Sequence, residues 1–170
     1  GSFLFSLLFC FVSFSASAVT CISTDNGSLN DPAIFGKYQN SHQDPACGKD
    51  FNLNYTVASG TQVLWDDNKT LSGTLVNQGT FNIQASGVFE GELENEGILN
   101  LEASVVFEGL LTNKATLEIK SGFSGEVKFQ GGLVNQGTFA ANHNPAATVH
   151  WEGSTRLESG SVQLNGMSLK

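Results

Sequence analysis

At 170 residues, with 40% apolar and 14% charged residues, the chain has the size of one domain. Its net charge of −8 argues against nucleic acid or an anionic membrane surface as partner. The 19 glycines against 3 prolines suit a β protein with glycine at its corners better than a disordered chain.

The first segment, Phe3 to Phe14, is an apolar run followed by Ser15-Ala-Ser-Ala18. That order matches the h-region and small-residue cleavage site of a secretory signal peptide, with cleavage expected after Ala18. The run is shorter than the ~20 residues a membrane-spanning helix needs, so no integral span is expected. It has neither an initiating Met nor a basic n-region, so the reading frame is expected to start upstream.

Residues 19–58 read as a capping segment. Removing the leader would remove Cys10, leaving Cys21 and Cys47 as an even pair in an oxidising compartment, where a disulfide is expected. The competing metal-pair reading finds no cysteine-histidine cluster at zinc spacing. Three N-x-Ser/Thr sequons, at Asn26, Asn54 and Asn68, lie at or before the first repeat and are candidate glycosylation sites.

From about residue 59 to 170 the chain repeats. Leu75-Val-Asn-Gln-Gly-Thr-Phe81 returns as Leu93-Glu-Asn-Glu-Gly-Ile-Leu99, Leu111-Thr-Asn-Lys-Ala-Thr-Leu117 and Leu133-Val-Asn-Gln-Gly-Thr-Phe139, in steps of 18, 18 and 22. A second marker, an aromatic followed by a polar residue, recurs at Trp65-Asp66, Phe89-Glu90, Phe107-Glu108, Phe129-Gln130 and Trp151-Glu152. Within each unit the apolar residues alternate with period two, the strand signature. A fixed short period built from short strands predicts a parallel β-solenoid of about five coils, with the right-handed coil as the expected hand.

Equivalent residues of successive coils would sit about 4.8 Å apart, so five coils span roughly 24 Å. Phe89, Phe107 and Phe129, with Trp65 and Trp151 at the ends, form the expected aromatic ladder. Asn77, Asn95, Asn113 and Asn135 form an expected asparagine ladder, each amide donating to one coil and accepting from the other. The last unit departs from the phrase: Leu157-Glu-Ser-Gly160 places Ser159 where Asn is expected. An antiparallel sandwich explains the alternation but not the in-phase markers. No sequence resembling the N-terminal cap follows Trp151, so the repeats are expected to continue past Lys170 or to be covered by a partner.

Candidate chemistry is sparse. Asp66, Glu90, Glu108 and Glu152 recur with the aromatic marker and would stack about 5 Å apart, the carboxylate separation of retaining glycosidases. Repetition of one solvent-facing position produces the same stripe without catalysis. Asp66-Asp67 is the one adjacent acid pair, and Arg156 the single arginine. His42, His143 and His150 are scattered, and no phosphate loop, nucleophile elbow or calcium repeat occurs. Outward Thr80, Thr116 and Thr138 hint at an ice-binding row, but Ile98 breaks it. No catalytic, cofactor-binding or metal residue is therefore nominated, and no cofactor is expected.

The Leu-x-Asn-x-Gly phrases at 75–81, 93–99 and 133–139 resemble the repeats of secreted β-solenoid adhesins of the filamentous haemagglutinin and autotransporter-passenger type. The resemblance covers about residues 63–140 and implies adhesion or extracellular structure, with no catalytic residues to carry over. The cysteine pair and clustered sequons depart from those bacterial families and point to a eukaryotic secreted or surface protein. The reading is a non-enzymatic extracellular or cell-surface module that meets a protein or glycan partner, or assembles through its ends. The alternative is a carbohydrate-active β-helix enzyme, a polysaccharide hydrolase or lyase, with Asp66-Asp67 or the 142–152 segment at its site.

Overall fold

The computed structural model describes residues 19–36, 44–141, 147–164 and 168–170. Residues 1–18, read above as a signal segment, and His42 and His143 lie outside the described residues.

Three parallel sheets wrap around one core, with strands numbered in chain order. Sheet 1 stacks β1 (Thr20–Ile22), β3 (Asn54–Val57), β6 (Leu75–Asn77), β9 (Leu93–Asn95), β12 (Leu111–Asn113), β15 (Leu133–Asn135) and β18 (Thr155–Leu157). Sheet 2 stacks β2 (Gly27–Ser28), β4 (Gln62–Trp65), β7 (Thr80–Ile83), β10 (Ile98–Leu101), β13 (Thr116–Ile119), β16 (Thr138–Ala141) and β19 (Ser161–Leu164). Sheet 3 stacks β5 (Lys69–Leu71), β8 (Gly87–Phe89), β11 (Val105–Phe107), β14 (Gly125–Phe129), β17 (Ala147–Trp151) and β20 (Ser168–Leu169). The chain visits sheets 1, 2 and 3 in turn, and each strand pairs in parallel with the strand one turn away. This is a β-solenoid of about five turns, β3 through β17, with β18–β20 following and β1 and β2 leading in. The parallel pairing excludes the sandwich.

The 18-residue step is the minimal circuit of three short strands and three corners. The 22-residue step enlarges one corner: between β13 and β14 the chain adds a bend at Gly122 and Phe123, and Phe123 folds back into the core. Inward positions stack by kind. Leu75, Leu93, Leu111 and Leu133 share one register and are fully buried. Phe89, Phe107, Phe129 and Trp151 share another, with ring centroids 5.5, 5.6 and 5.3 Å apart in nearly parallel stacks. Such offset stacking adds about 0.5–1.5 kcal/mol per pair beyond area burial.

Trp65 does not lie in that register, contrary to expectation. It pairs with Ile83 in sheet 2, and Leu71 holds the position before Phe89. Its indole still reaches Phe89, at 5.0 Å, because Gly87 stands where the next turns carry Val105 and Val127. A Cβ on Gly87 would lie 2.5 Å from the Trp65 Nε1. The aromatic-acid likeness of Trp65-Asp66 to Phe89-Glu90 is thus a resemblance of letters and not of place.

The asparagine ladder forms as expected. Asn77 Nδ2 donates to Asn95 Oδ1 at 2.8 Å, Asn95 to Asn113 at 2.8 Å, and Asn113 to Asn135 at 2.7 Å. The second amide hydrogen of each goes to a backbone carbonyl of the following turn, at Ile98, Thr116 and Thr138. All four side chains are fully buried, so these bonds replace hydration that burial removes. The ladder stops where the register brings Val57 and Leu157 to its ends. Leu157 therefore occupies the Asn position and Thr155 the Leu position; the expected alignment of Leu157 with Leu133 and Ser159 with Asn is overturned. Ser159 Oγ instead donates to the Gln136 carbonyl across the corner.

At the N-terminal end the disulfide Cys21–Cys47 closes a 26-residue separation. β1 and β2 extend sheets 1 and 2, so this segment begins as an incomplete turn and then folds over the end of the core. Leu29, Ile34 and Phe35 are buried there, and Phe35 meets the Tyr55 ring edge-on at 5.4 Å. The Tyr55 hydroxyl donates to the Asp50 carbonyl and accepts from the Gly48 amide, and burial raises its pKa above the ordinary value.

Candidate functional site

Strand pleating sends alternate residues outward, and the stacking lines them into rows one turn apart. On sheet 1 the alternate row is Thr56, Val76, Glu94, Thr112, Val134 and Arg156, of which Val134 is buried at 8% exposure. On sheet 2 one row runs Gln62, Thr80, Ile98, Thr116, Thr138 and Ser161, with Ile98 43% exposed. Beside it runs Leu64, Asn82, Asn100, Glu118 and Ala140.

Asn82 and Asn100, read as outward positions, are only 3% and 8% exposed. Asn100 Nδ2 donates to Asn82 Oδ1 at 2.7 Å, making a short second asparagine ladder. Period-two alternation assigns these residues to solvent; the signal for their pairing is the recurrence of Asn at the 18-residue step.

The corners carry the charge. After sheet 1 the row is Gln78, Glu96, Lys114, Gln136 and Glu158. Gln78 donates to Glu96 at 3.1 Å, Lys114 reaches Glu94 at 2.6 Å and Glu96 at 3.5 Å, and Gln136 donates to Glu158 at 2.7 Å. The Gln78 amide, with the Glu94 carboxyl and the Lys114 ammonium, holds Glu96 below its ordinary pKa of 4.5; Glu94 raises that of Lys114. After sheet 3 the row is Ser72, Glu90, Glu108, Gln130 and Glu152, with Ser72 donating to Glu90 at 2.8 Å. Asp66 belongs to neither row. It follows β4 at the second corner, ahead of Gln84 and Glu102, so the expected stripe of Asp66 with Glu90, Glu108 and Glu152 does not form.

The carboxylates of the alternative enzymatic reading are held in separate local pairs. Asp66 accepts a hydrogen bond from Ser28, and Asp67 pairs with Lys69 at 3.2 Å. The hollow that Asp66, Asp67 and Lys69 line with Leu29, Asn30, Phe51, Leu64 and Trp65 has about 10 Å³ of free space, room for about one water. A second hollow, at Asn26, Gly27, Gln62 and Leu64, is open and shallow at about 260 Å³. Arg156 lies at the other end of the solenoid and pairs with Glu158 at 2.8 Å. On sheet 3, His150 Nε2 lies 3.2 Å from Glu126 Oε1, a close approach without hydrogen-bond alignment, and Lys128 lies 3.5 Å from the same carboxyl. His150, with Lys128, holds Glu126 below its ordinary pKa of 4.5. Among the described residues no group of three or more His, Cys, Asp or Glu is placed to hold a metal, and no helix is long and apolar enough to cross a membrane.

The three sequon asparagines sit at the N-terminal end. Asn26 Oδ1 accepts from the Gln62 amide at 2.8 Å, Asn54 Oδ1 accepts from Thr74 at 3.1 and 2.9 Å, and Asn68 is exposed in the turn before β5.

No protein-family model, curated protein or solved structure matches the chain.

Proposed function

We propose that the chain is a non-enzymatic extracellular display module, adhesive or structural, whose flat outer faces meet a protein or glycan partner. The observation that carries this reading is the division of labour among the rows. Core positions repeat almost unchanged and the corner charges are largely satisfied by adjacent turns, while the outward residues of sheet 1 change from turn to turn through Thr56, Val76, Glu94, Thr112 and Arg156. A face fixed by backbone ladders and stacked rings is ordered before any partner arrives, which lowers the entropy cost of binding. The Cys21–Cys47 disulfide fits a secreted or cell-surface location.

The test is a glycan array and a cell-binding assay with the secreted chain, run beside a reducing-end assay on the glycans that bind. Binding without turnover, weakened by Thr112→Arg on the sheet 1 face, supports display. Release of reducing ends, abolished by Asp66→Asn, would refute it in favour of the hydrolase.

A further inference from the structure

We propose that Asn68 is the N-glycan acceptor among the three sequons, a modification that depends on the extracellular location proposed above. Transfer to a sequon needs a free surface segment, because the acceptor amide and the hydroxyl two residues on are read together. The fold treats the three segments differently. Asn54, Tyr55 and Thr56 lie inside β3, which pairs with β1 on one side and β6 on the other. Tyr55 is buried, and Asn54 Oδ1 accepts from both the amide and the hydroxyl of Thr74. Asn26 Oδ1 holds the Gln62 amide, Gly27 and Ser28 pair with β4, and the Ser28 hydroxyl donates to Asp66.

Asn68 stands instead between the bend at Asp67 and the start of β5, and Asn68, Lys69 and Thr70 are all exposed. The two residues of this sequon that belong to a strand are paired with β8, and among the described residues on that side only. The donor is a polyprenyl-diphosphate-linked oligosaccharide. Asn68 Nδ2 forms a bond to the anomeric carbon, the bond from that carbon to the diphosphate breaks, the diphosphate leaves with the electron pair, and Nδ2 gives up one proton. A glycan at this place has two consequences. The corner between sheets 2 and 3 lies across the coil from sheet 1, so the varied outward residues of sheet 1 stay clear of it. The sugar also stands beside Asp66 and Asp67, where its bulk would crowd the acid pair of the hydrolase alternative.

The test expresses the chain in eukaryotic cells behind a supplied secretion leader. Amidase release converts a glycosylated asparagine to aspartate, and peptide mass spectrometry reads that change at positions 26, 54 and 68. Occupancy at Asn68 above that at Asn26 and Asn54 is expected. Asn68→Gln and Thr70→Ala should each remove most of the amidase-sensitive gel shift, and Thr70→Ser should keep it. Both positions are exposed, and unchanged circular dichroism confirms the fold. An unmodified Asn68, or occupancy at Asn26 or Asn54 equal to or above that at Asn68, overturns the proposal. A second expression places residues 1–18 behind an initiating Met in place of the supplied leader. A glycan with the supplied leader and none with residues 1–18 refutes the secretion reading and leaves the choice of Asn68 standing.

Discussion

Replacing Asn113 by alanine removes the middle of the asparagine ladder, and the ladder's polarity sets the cost. Asn113 Nδ2 donates to Asn135 Oδ1 at 2.7 Å and to the Thr138 carbonyl at 2.9 Å, and its Oδ1 accepts from Asn95 Nδ2 at 2.8 Å. Asn95 keeps a donor bond to the Thr116 carbonyl, but Asn135 Oδ1 loses its ladder donor in a dry site. The orphaned Asn135 acceptor costs about 1–3 kcal/mol and the other two lost hydrogen bonds about 1 kcal/mol each, so Asn113→Ala should cost about 3–5 kcal/mol. Asn135→Ala orphans no ladder acceptor, since Leu157 follows it, and Asn113 keeps the Thr138 carbonyl. It should cost about 1–3 kcal/mol less than Asn113→Ala. Urea denaturation followed by far-ultraviolet circular dichroism measures both. Because turns in a stacked array can unfold separately, the fluorescence of Trp65 and Trp151 should be followed as well, one near each end. A cost at Asn135 equal to or above that at Asn113, or a cost at Asn113 below about 1 kcal/mol, would refute the polar-ladder argument.

Gly109→Ala should be strongly destabilising, by more than about 2 kcal/mol, because its Cβ would lie 2.2 Å from the backbone oxygen of Gly91 and a backbone cannot rotate aside. Gly60→Ala, with open space but a φ of +81°, should cost only about 1 kcal/mol; thermal melts compare the two. Glu96 and Glu126 have folded-state pKa values below 4.5, so they bind protons less readily folded than unfolded. Their contribution is present above pH 4.5 and is lost as pH falls through the depressed values. The melting temperature should therefore decline below that pH, and Glu126→Gln should flatten part of the decline; an unchanged acid limb would contradict the assignment.

Where one residue type recurs at one place, the sequence reveals the fold directly. Leu75 to Leu133, Asn77 to Asn135 and Phe89 to Phe129 are such series, and identical letters at a fixed step could pack well only as stacks. The errors arose where letters and register part. Trp65 shares its flanking acid with Phe89, yet the lengths of the adjacent corners place it above Ile83, and a missing side chain at Gly87 lets its ring reach the ladder. Leu157 aligns by its letter with Leu133, while backbone pairing puts it opposite Asn135. The corner pairings are harder to read for another reason: Gln78, Glu96 and Lys114 share the place after the repeated Asn, but their types differ, so the phrase aligns them without showing that they bond. Of the candidate site, the Asp66 stripe failed because it inherited the Trp65 alignment. The outward row of sheet 1 had no signature, since its residues vary.

The short step between paired residues, 18 or 22 positions along the asparagine ladder, has a consequence for how the molecule comes into being. Each strand finds its template in the turn made just before it, so the mean separation of contacts is on the order of a tenth of the chain length, in the range of fast-folding topologies. A chain emerging from a ribosome can therefore settle turn upon turn, in the order of its synthesis, on first turns that the Cys21–Cys47 disulfide ties together.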